Sequence, residues 1–277
     1  DDQPVHVRLW ADSRLVFVGD GPLAGAVRAG IALHGLDDAV TLTGALPNSE
    51  VAGWLAAADL LALPSTVEPL GVVALEAMAC GRPVVAIYAT FLQRAFDQIV
   101  HDVCQNDQPV LIGVDRAGLV GEDGTSHQGV FSFAAHRQVP NLVIAAPKDE
   151  QELRSMVRTA LAQDHAFALN YPRDAGFGVP EREPSIIPVG CGEVLREGTD
   201  LLIVGFGPIV RRAEEAADAL AADGWSVGVI NARFAKPLDR QLILDQARGK
   251  KLVVKLEESV LRVAFGAVVL ELLEEAR

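Results

Sequence analysis

The feature that most constrains this chain is a repeated exchange between short β-branched apolar runs and segments of helical periodicity. LVFVG (15–19) leads into a helical pattern over 22–34, and a short run at 40–42 leads into another over 49–58. LLAL (60–63), PVVAIY (83–88), PVLIGV (109–114), NLVIAA (141–146) and HAFALNY (165–171) read as further strands, with helical patterns over 72–80, 92–104 and 149–162. Strands that alternate with helices make βαβ units, whose crossovers force the strands parallel and cover both faces of the sheet with helices. The rhythm breaks at 174–188, where Gly176, Gly178, Pro180, Pro184 and Pro188 mark a linker over about 176–190. Beyond it LLIVGFGP, WSVGVI and KLVVKLEE read as strands, with helices over 209–222 and 239–247. The expected fold class is therefore α/β: a three-layer parallel-sheet domain followed by a smaller α/β domain.

Composition bounds the function. At 277 residues the chain has room for about two domains of roughly 150 residues. A formal net charge of −13 argues against a general affinity for nucleic acid or acidic membrane, while leaving room for a local basic pocket. Cys80, Cys104 and Cys191 are too scattered for a zinc site or a disulfide framework, so a reduced, cytoplasmic setting is expected. The acidic start DDQPVHVRLW lacks the apolar core of a secretory leader. No apolar run reaches the roughly 18 residues of a membrane span.

Two segments carry candidate chemistry near the N-terminus. Gly19-Asp20-Gly21-Pro22 joins a strand to a helix. Such a turn can aim helix N–H groups at a phosphate, or it can simply need glycine for its dihedrals. In PSTVEPLGVVALEAMACGRPVVA, Glu68 and Glu76 are eight positions apart across a strand-to-helix turn. Glu76 can accept hydrogen bonds from ribose hydroxyls, or solvate a helix face. GDGP, the LTGALP–helix–ADLLALPS run and the glutamate pair together resemble the C-terminal nucleotide-binding domain of retaining GT-B glycosyltransferases over about 14–86. The resemblance implies a nucleotide-sugar site in which Glu76 holds the ribose, Glu68 meets the donor sugar, and Gly19 and Gly21 shape the phosphate turn. The family's following Gly-Gly loop is absent, so this site is expected to be vestigial.

A second constellation follows. Tyr88, Phe91 and Arg94 lie just past a strand end, where α/β sheets place ligands. Their rings can stack on a flat heterocycle or fill the core, and Arg94 with Asp97 can be a solvated helix pair. Asp115-Arg116-Ala117-Gly118 ends the next strand and opens a glycine-rich loop with Asp123 and His127. Arg173 lies past a third strand end. His127 can move a proton near neutral pH or be structural. Arg116 and Arg173 can grip a phosphate through charge-assisted forks.

YATFLQRAFDQ, DRAGLVGEDG-x-x-HQG and YPR, with KPLD and LEES further on, resemble the 1-deoxy-D-xylulose-5-phosphate synthase family, of the transketolase type, from about residue 81 to the end. The resemblance implies a pyrimidine-binding domain over 81–175, sharing a sheet with the glycosyltransferase-like segment 1–86, and a transketolase C-terminal-like domain over 191–277. It implies thiamine diphosphate as cofactor, with Phe91 stacking on its pyrimidine and Tyr88 and Arg94 beside it. Arg116 and Arg173 would hold the substrate phosphate, and His127 and Asp123 would act in the substrate pocket. The substrates implied are pyruvate and glyceraldehyde 3-phosphate, joined with loss of CO2 in isoprenoid precursor synthesis. The diphosphate- and Mg2+-binding domain and the family's catalytic glutamate have no counterpart here. Activity is therefore expected to need a homodimer or a separate diphosphate-domain chain. Departures from the family text are Ser132 for aspartate, His136 for leucine, Asp174 for glycine, and a single glycine in Val263-Ala264-Phe265-Gly266.

Overall fold

The structure, a computed structural model, describes residues 13–58, 61–62, 84–121 and 123–276. The expected helix over 72–80, Glu68, Glu76 and Cys80 lie outside these residues. The chain divides into two compact units, Asp1–Ala57 and Ala58–Arg277.

In the first unit β1 (Leu15–Val18) pairs in parallel with β2 (Val40–Gly44), and α1 (Ala24–Leu33) and α2 (Asn48–Ala57) complete two βα steps. Gly19 donates its N–H to the Gly44 carbonyl at 2.9 Å, and both have positive φ, 137° and 71°. These are backbone conformations that a side chain would strain. The unit buries little: α1 has no buried residue, and Leu33 is 80% exposed.

The second unit holds two sheets. The larger has the order β11-β6-β7-β5-β4-β3, built from β3 (Leu61–Ala62), β4 (Val84–Tyr88), β5 (Leu111–Asp115), β6 (Leu142–Ala145), β7 (Ala166–Asn170) and β11 (Phe234–Lys236). All its pairs are parallel except β11 with β6. The smaller has the order β12-β9-β10-β8, from β8 (Glu193–Arg196), β9 (Leu201–Gly205), β10 (Val227–Asn231) and β12 (Leu252–Leu256). Its pairs are parallel except β8 with β10. The α/β class expected from the alternating pattern is the one found.

Strands β5, β6 and β7 are buried along nearly their whole length, as continuous apolar runs in a covered parallel sheet must be. Phe167 and Phe234 meet edge-on, with centroids 6.3 Å apart, in a core with Leu169, Met156 and Ile187. Strand β11 brings Phe234 into that core from the far end of the chain. It is a three-residue strand that no alternation pattern announces.

The segment over 92–104 is not one regular helix. α3 (Ala89–Leu92), a 3-10 turn (Gln93–Ala95), α4 (Phe96–Gln98) and a π-helical stretch (Ile99–Cys104) follow one another without a break. Buried Leu92, Ala95, Ile99 and Val103 keep one face inward through each change of pitch.

Helix α6 (Glu150–Leu161) starts where Asp149 accepts from the Glu152 N–H at 2.7 Å. α5 (Ser132–His136) precedes it in the chain. The proline-rich stretch after β7 has neither helix nor strand up to Gly192, yet it is strapped along α6. Glu150 accepts from Phe177 and Val179, Gln151 from Arg182, and Thr159 from Ile187, at 2.8 to 3.1 Å. Side chains of α6 thus satisfy backbone groups that prolines and glycines keep out of regular structure.

The R-x-x-K-P-L-D run is a staple between the two sheets. Arg233, at φ 58°, pairs with Glu152 at 2.6 Å and with Glu193 at 3.0 Å. Asn231, fully buried, donates to the same Glu152 carboxylate. Asp239 caps α8 (Arg240–Ala247) by accepting from Leu242 at 3.0 Å, and also accepts from Gly192 at 2.9 Å. α7 (Val210–Ala222) covers β9 and β10. Glu257 accepts from the N–H groups of Phe265 and Gly266 at the start of α9 (Phe265–Glu275), at 3.0 and 2.6 Å. A Cβ on Gly266 would lie 2.8 Å from that carboxylate, so a side chain there would push it aside. Val263 occupies the left-handed region at φ 57°.

Candidate functional site

Strand β4 ends at Tyr88, and the chain turns directly into α3. The turn sets Tyr88 and Phe91 face to face, with ring centroids 5.1 Å apart and planes 10° from parallel. The His127 ring stands edge-on to both: 5.6 Å and 87° from Phe91, 6.5 Å and 84° from Tyr88. Arg94 lies over the Phe91 ring at 5.7 Å, and Arg116 over Tyr88 at 3.7 Å, distances at which a guanidinium is attracted to a π face.

Arg116 reaches Tyr88 because it follows β5 at φ 57°, a conformation uncommon for a side-chain-bearing residue. Asp115 holds it there, accepting from the Arg116 N–H at 2.8 Å and from its guanidinium. Arg116 Nε donates to Asp123 at 2.5 Å, and Arg173 donates to the other oxygen of the same carboxylate. Burial pulls Asp123 upward, but the hydrogen bonds and charges of Arg116 and Arg173 outweigh it and hold this carboxyl below the usual range. For Asp115 burial dominates, and the carboxyl is pushed up despite Arg116.

The loop carrying Asp123 and His127 is pinned at its base. Gly118 and Gly129 form an antiparallel bridge, with Gly118 N–H donating to Gly129 O at 3.2 Å. A Cβ on Gly129 would sit 1.9 Å from Arg116 O and 2.9 Å from Ala89 Cβ, so only glycine fits. Gln128 staples the loop interior: its amide oxygen accepts from Val120 N–H at 2.7 Å, and its NH2 donates to Gly124 O at 2.8 Å and to Val120 O. From the C-terminal side, Ser259 donates its hydroxyl to Val130 O at 2.7 Å. Glu258 lies against Gly118, and its carboxyl is raised by burial and by Asp174.

A cavity of about 320 Å³ opens beside the ring cluster, with Thr90, Phe91, Arg94, Ser126, His127 and Phe131 in its wall. Tyr88, Phe91, Arg94, Arg116, Asp123, His127 and Arg173 therefore form one chain of contacts. Of these, Phe91, Arg94 and His127 face the cavity, while Arg116, Asp123 and Arg173 are paired with each other. Gly19 and Gly21 lie in the first unit, with Gly19 shaping the turn there. Reading the sequence did not single out Thr90, Gln128 or Phe131. Their side chains matter through contacts across the loop, and no local spacing announces those. Among the described residues no three His, Cys, Asp or Glu side chains converge as metal ligands. No described helix is long and apolar enough to cross a membrane.

Comparison with known proteins finds three matching stretches. Residues 71–177 match the transketolase pyrimidine-binding domain, residues 190–277 the transketolase C-terminal domain, and residues 5–108 the group 1 glycosyl transferases. A solved structure described as a split-gene transketolase, inactive β4 tetramer, superposes with a TM-score of 0.66 at 28% identity, covering 94% of this chain and 79% of that one. The chain thus carries the pyrimidine-binding and C-terminal domains of the transketolase class. The 1-deoxy-D-xylulose-5-phosphate synthases of Thermomicrobium roseum and Heliobacterium modesticaldum are 56% and 53% identical over 197 and 194 residues, each match taking in 70% of this chain. Within that class, 70% of the chain is similar to a portion of 1-deoxy-D-xylulose-5-phosphate synthase, and residues 5–108 are similar to group 1 glycosyl transferases. The chain spans 31% and 30% of the length of those two relatives. That family implies thiamine diphosphate as its cofactor.

Proposed function

We propose that this chain supplies the pyrimidine-side half of a thiamine-diphosphate site that condenses pyruvate with glyceraldehyde 3-phosphate. The observation that carries the proposal is the ring cluster: Phe91, backed by Tyr88 and edged by His127, forms a flat apolar wall on a cavity of about 320 Å³. A wall of that kind suits one face of an aminopyrimidine, and the volume is within the roughly 300–1,000 Å³ of small-molecule sites. Thiamine diphosphate, when bound, supplies the electron sink for decarboxylating pyruvate. Phe91 holds the heterocycle, with Tyr88 and Arg94 fixing that ring from either side of the turn. Arg116 and Arg173 take the substrate phosphate; what supports this is that the two guanidiniums lie together on Asp123, within reach of one anion. His127 donates to or accepts from the substrate oxygens, and Asp123 orients the two arginines.

The diphosphate and Mg2+ are assigned to a diphosphate domain supplied by a separate chain. The test is pyruvate decarboxylation with thiamine diphosphate and Mg2+, by this chain alone and with an added diphosphate-domain chain. Turnover is expected only in the mixture, and Arg173→Ala should raise the KM for glyceraldehyde 3-phosphate at least tenfold. Turnover by the chain alone would remove the need for a second component. A mixture that assembles but releases no CO2 from pyruvate would refute the reading.

A second reading rests on the match of residues 5–108 to group 1 glycosyl transferases, with Glu68 and Glu76 as nucleotide-sugar ligands. Calorimetric titration with a nucleotide-sugar decides it, and no heat at millimolar concentration excludes useful affinity.

A further inference from the structure

The two aromatic contacts of His127 fix the plane of its ring but not its chemistry. An imidazole standing edge-on to Tyr88 and Phe91 keeps the same plane if it turns by half a revolution about its Cβ–Cγ bond, which exchanges Nδ1 with a carbon. It also keeps that plane if its proton moves from one nitrogen to the other. Ring packing of this kind cannot say which nitrogen faces the cavity or whether that nitrogen donates or accepts. A directional hydrogen bond is needed to break both degeneracies.

Thr90 provides one. Its hydroxyl oxygen lies 3.2 Å from His127 Nδ1, joining the second residue of α3 to the 3-10 turn Thr125–His127 across 37 positions of sequence. Mid-helix threonines commonly donate to the carbonyl four residues earlier. For Thr90 that carbonyl belongs to Ala86 in β4, outside the helix. Both side chains sit in the wall of the same cavity.

We infer that Thr90 is a positioning residue: its hydroxyl donates to His127 Nδ1, fixes the neutral imidazole in the Nε2–H tautomer, and leaves Nε2–H as a hydrogen-bond donor to a substrate oxygen. The inference deepens the proposed function, because the donor matters only if the cavity takes the carbonyl substrates. Proton balance is simple. The threonine keeps its proton, and the imidazole carries its single N–H on Nε2. Polarising a carbonyl oxygen then requires no change in the protonation of Thr90.

The test reads the tautomer directly, on the ligand-free full chain. In long-range 1H–15N spectra above the imidazole pKa, with His127 assigned by difference from His127→Gln, the wild type should show an unprotonated Nδ1 and a protonated Nε2. Thr90→Ser, which keeps the hydroxyl, should preserve that pattern. Thr90→Val, nearly isosteric but without a donor, should lose it and give a mixed or reversed tautomer while the backbone amide spectrum stays put. A wild type protonated at Nδ1, or a Thr90→Val spectrum unchanged at His127, would overturn the inference. If the pattern holds but glyceraldehyde 3-phosphate leaves the His127 signals unmoved, the positioning role stands and the substrate assignment falls.

Discussion

His136 should be the group whose protonation most weakens this fold at mildly acid pH. It ends α5 at 2% exposure, and its Nε2 is buried with no hydrogen-bond partner among the described residues. Burial pushes its pKa down from 6.5 to about 4. The folded form therefore requires a neutral ring, whereas the unfolded chain takes up a proton once the pH drops below 6.5. The stability tied to the neutral ring is fully present above pH 6.5 and is lost as pH falls towards 4. At about 1.4 kcal/mol per pH unit the full loss is roughly 3 kcal/mol, and about 2 kcal/mol of it is gone by pH 5. His136→Leu removes both the titration and the unpaired nitrogen, whose burial costs about 1–3 kcal/mol by itself. The assay is urea denaturation of wild type and variant at about pH 7.5 and pH 5. The variant should be the more stable at both, and its advantage should grow by about 2 kcal/mol at the lower pH. Equal losses in the two proteins, or an NMR titration placing His136 near 6.5, would refute the reasoning.

Val263→Gly should stabilise the protein by about 0.5–1 kcal/mol in the same assay, since a β-branched residue at φ 57° is strained and its side chain is 58% exposed, so little burial is lost. Gly129→Ala should displace the loop, abolish the His127–Thr90 contact seen by NMR and lower the thermal midpoint, because the new methyl would collide with Arg116 O. Glu152→Ala should cost about 3–5 kcal/mol by urea denaturation, as it leaves Arg233 and the fully buried Asn231 without their shared acceptor. Limited proteolysis should cut within 13–57 before it cuts β5, β6 or β7, since the first unit buries few side chains and those strands are buried almost throughout.

Much of the site was legible because it hangs on strand ends. Tyr88, Arg116 and Arg173 each follow an apolar run, and a parallel sheet gathers the carboxyl ends of its strands on one edge whatever their order. Motif resemblance then assigned roles that spacing alone left open, for Phe91 between stacking and core, and for His127 between ligand and scaffold. The pairing of Arg116 and Arg173 on Asp123, and of His127 with Thr90, was not legible. Those contacts join residues 7, 50 and 37 positions apart through loop geometry that no periodicity encodes.

What the sequence by itself determined is the α/β class and the run of parallel strands, because both follow from local periodicity. Tertiary structure alone decided the antiparallel edge strands β8 and β11, the strapping of the proline-rich stretch to α6, the change of pitch across 89–104 and the staple of Arg233 on Glu152. For the strands, the strap and the staple the stabilising partner lies far along the chain. A three-residue strand or a glutamate at a helix start carries no mark of that partner until packing brings the two together.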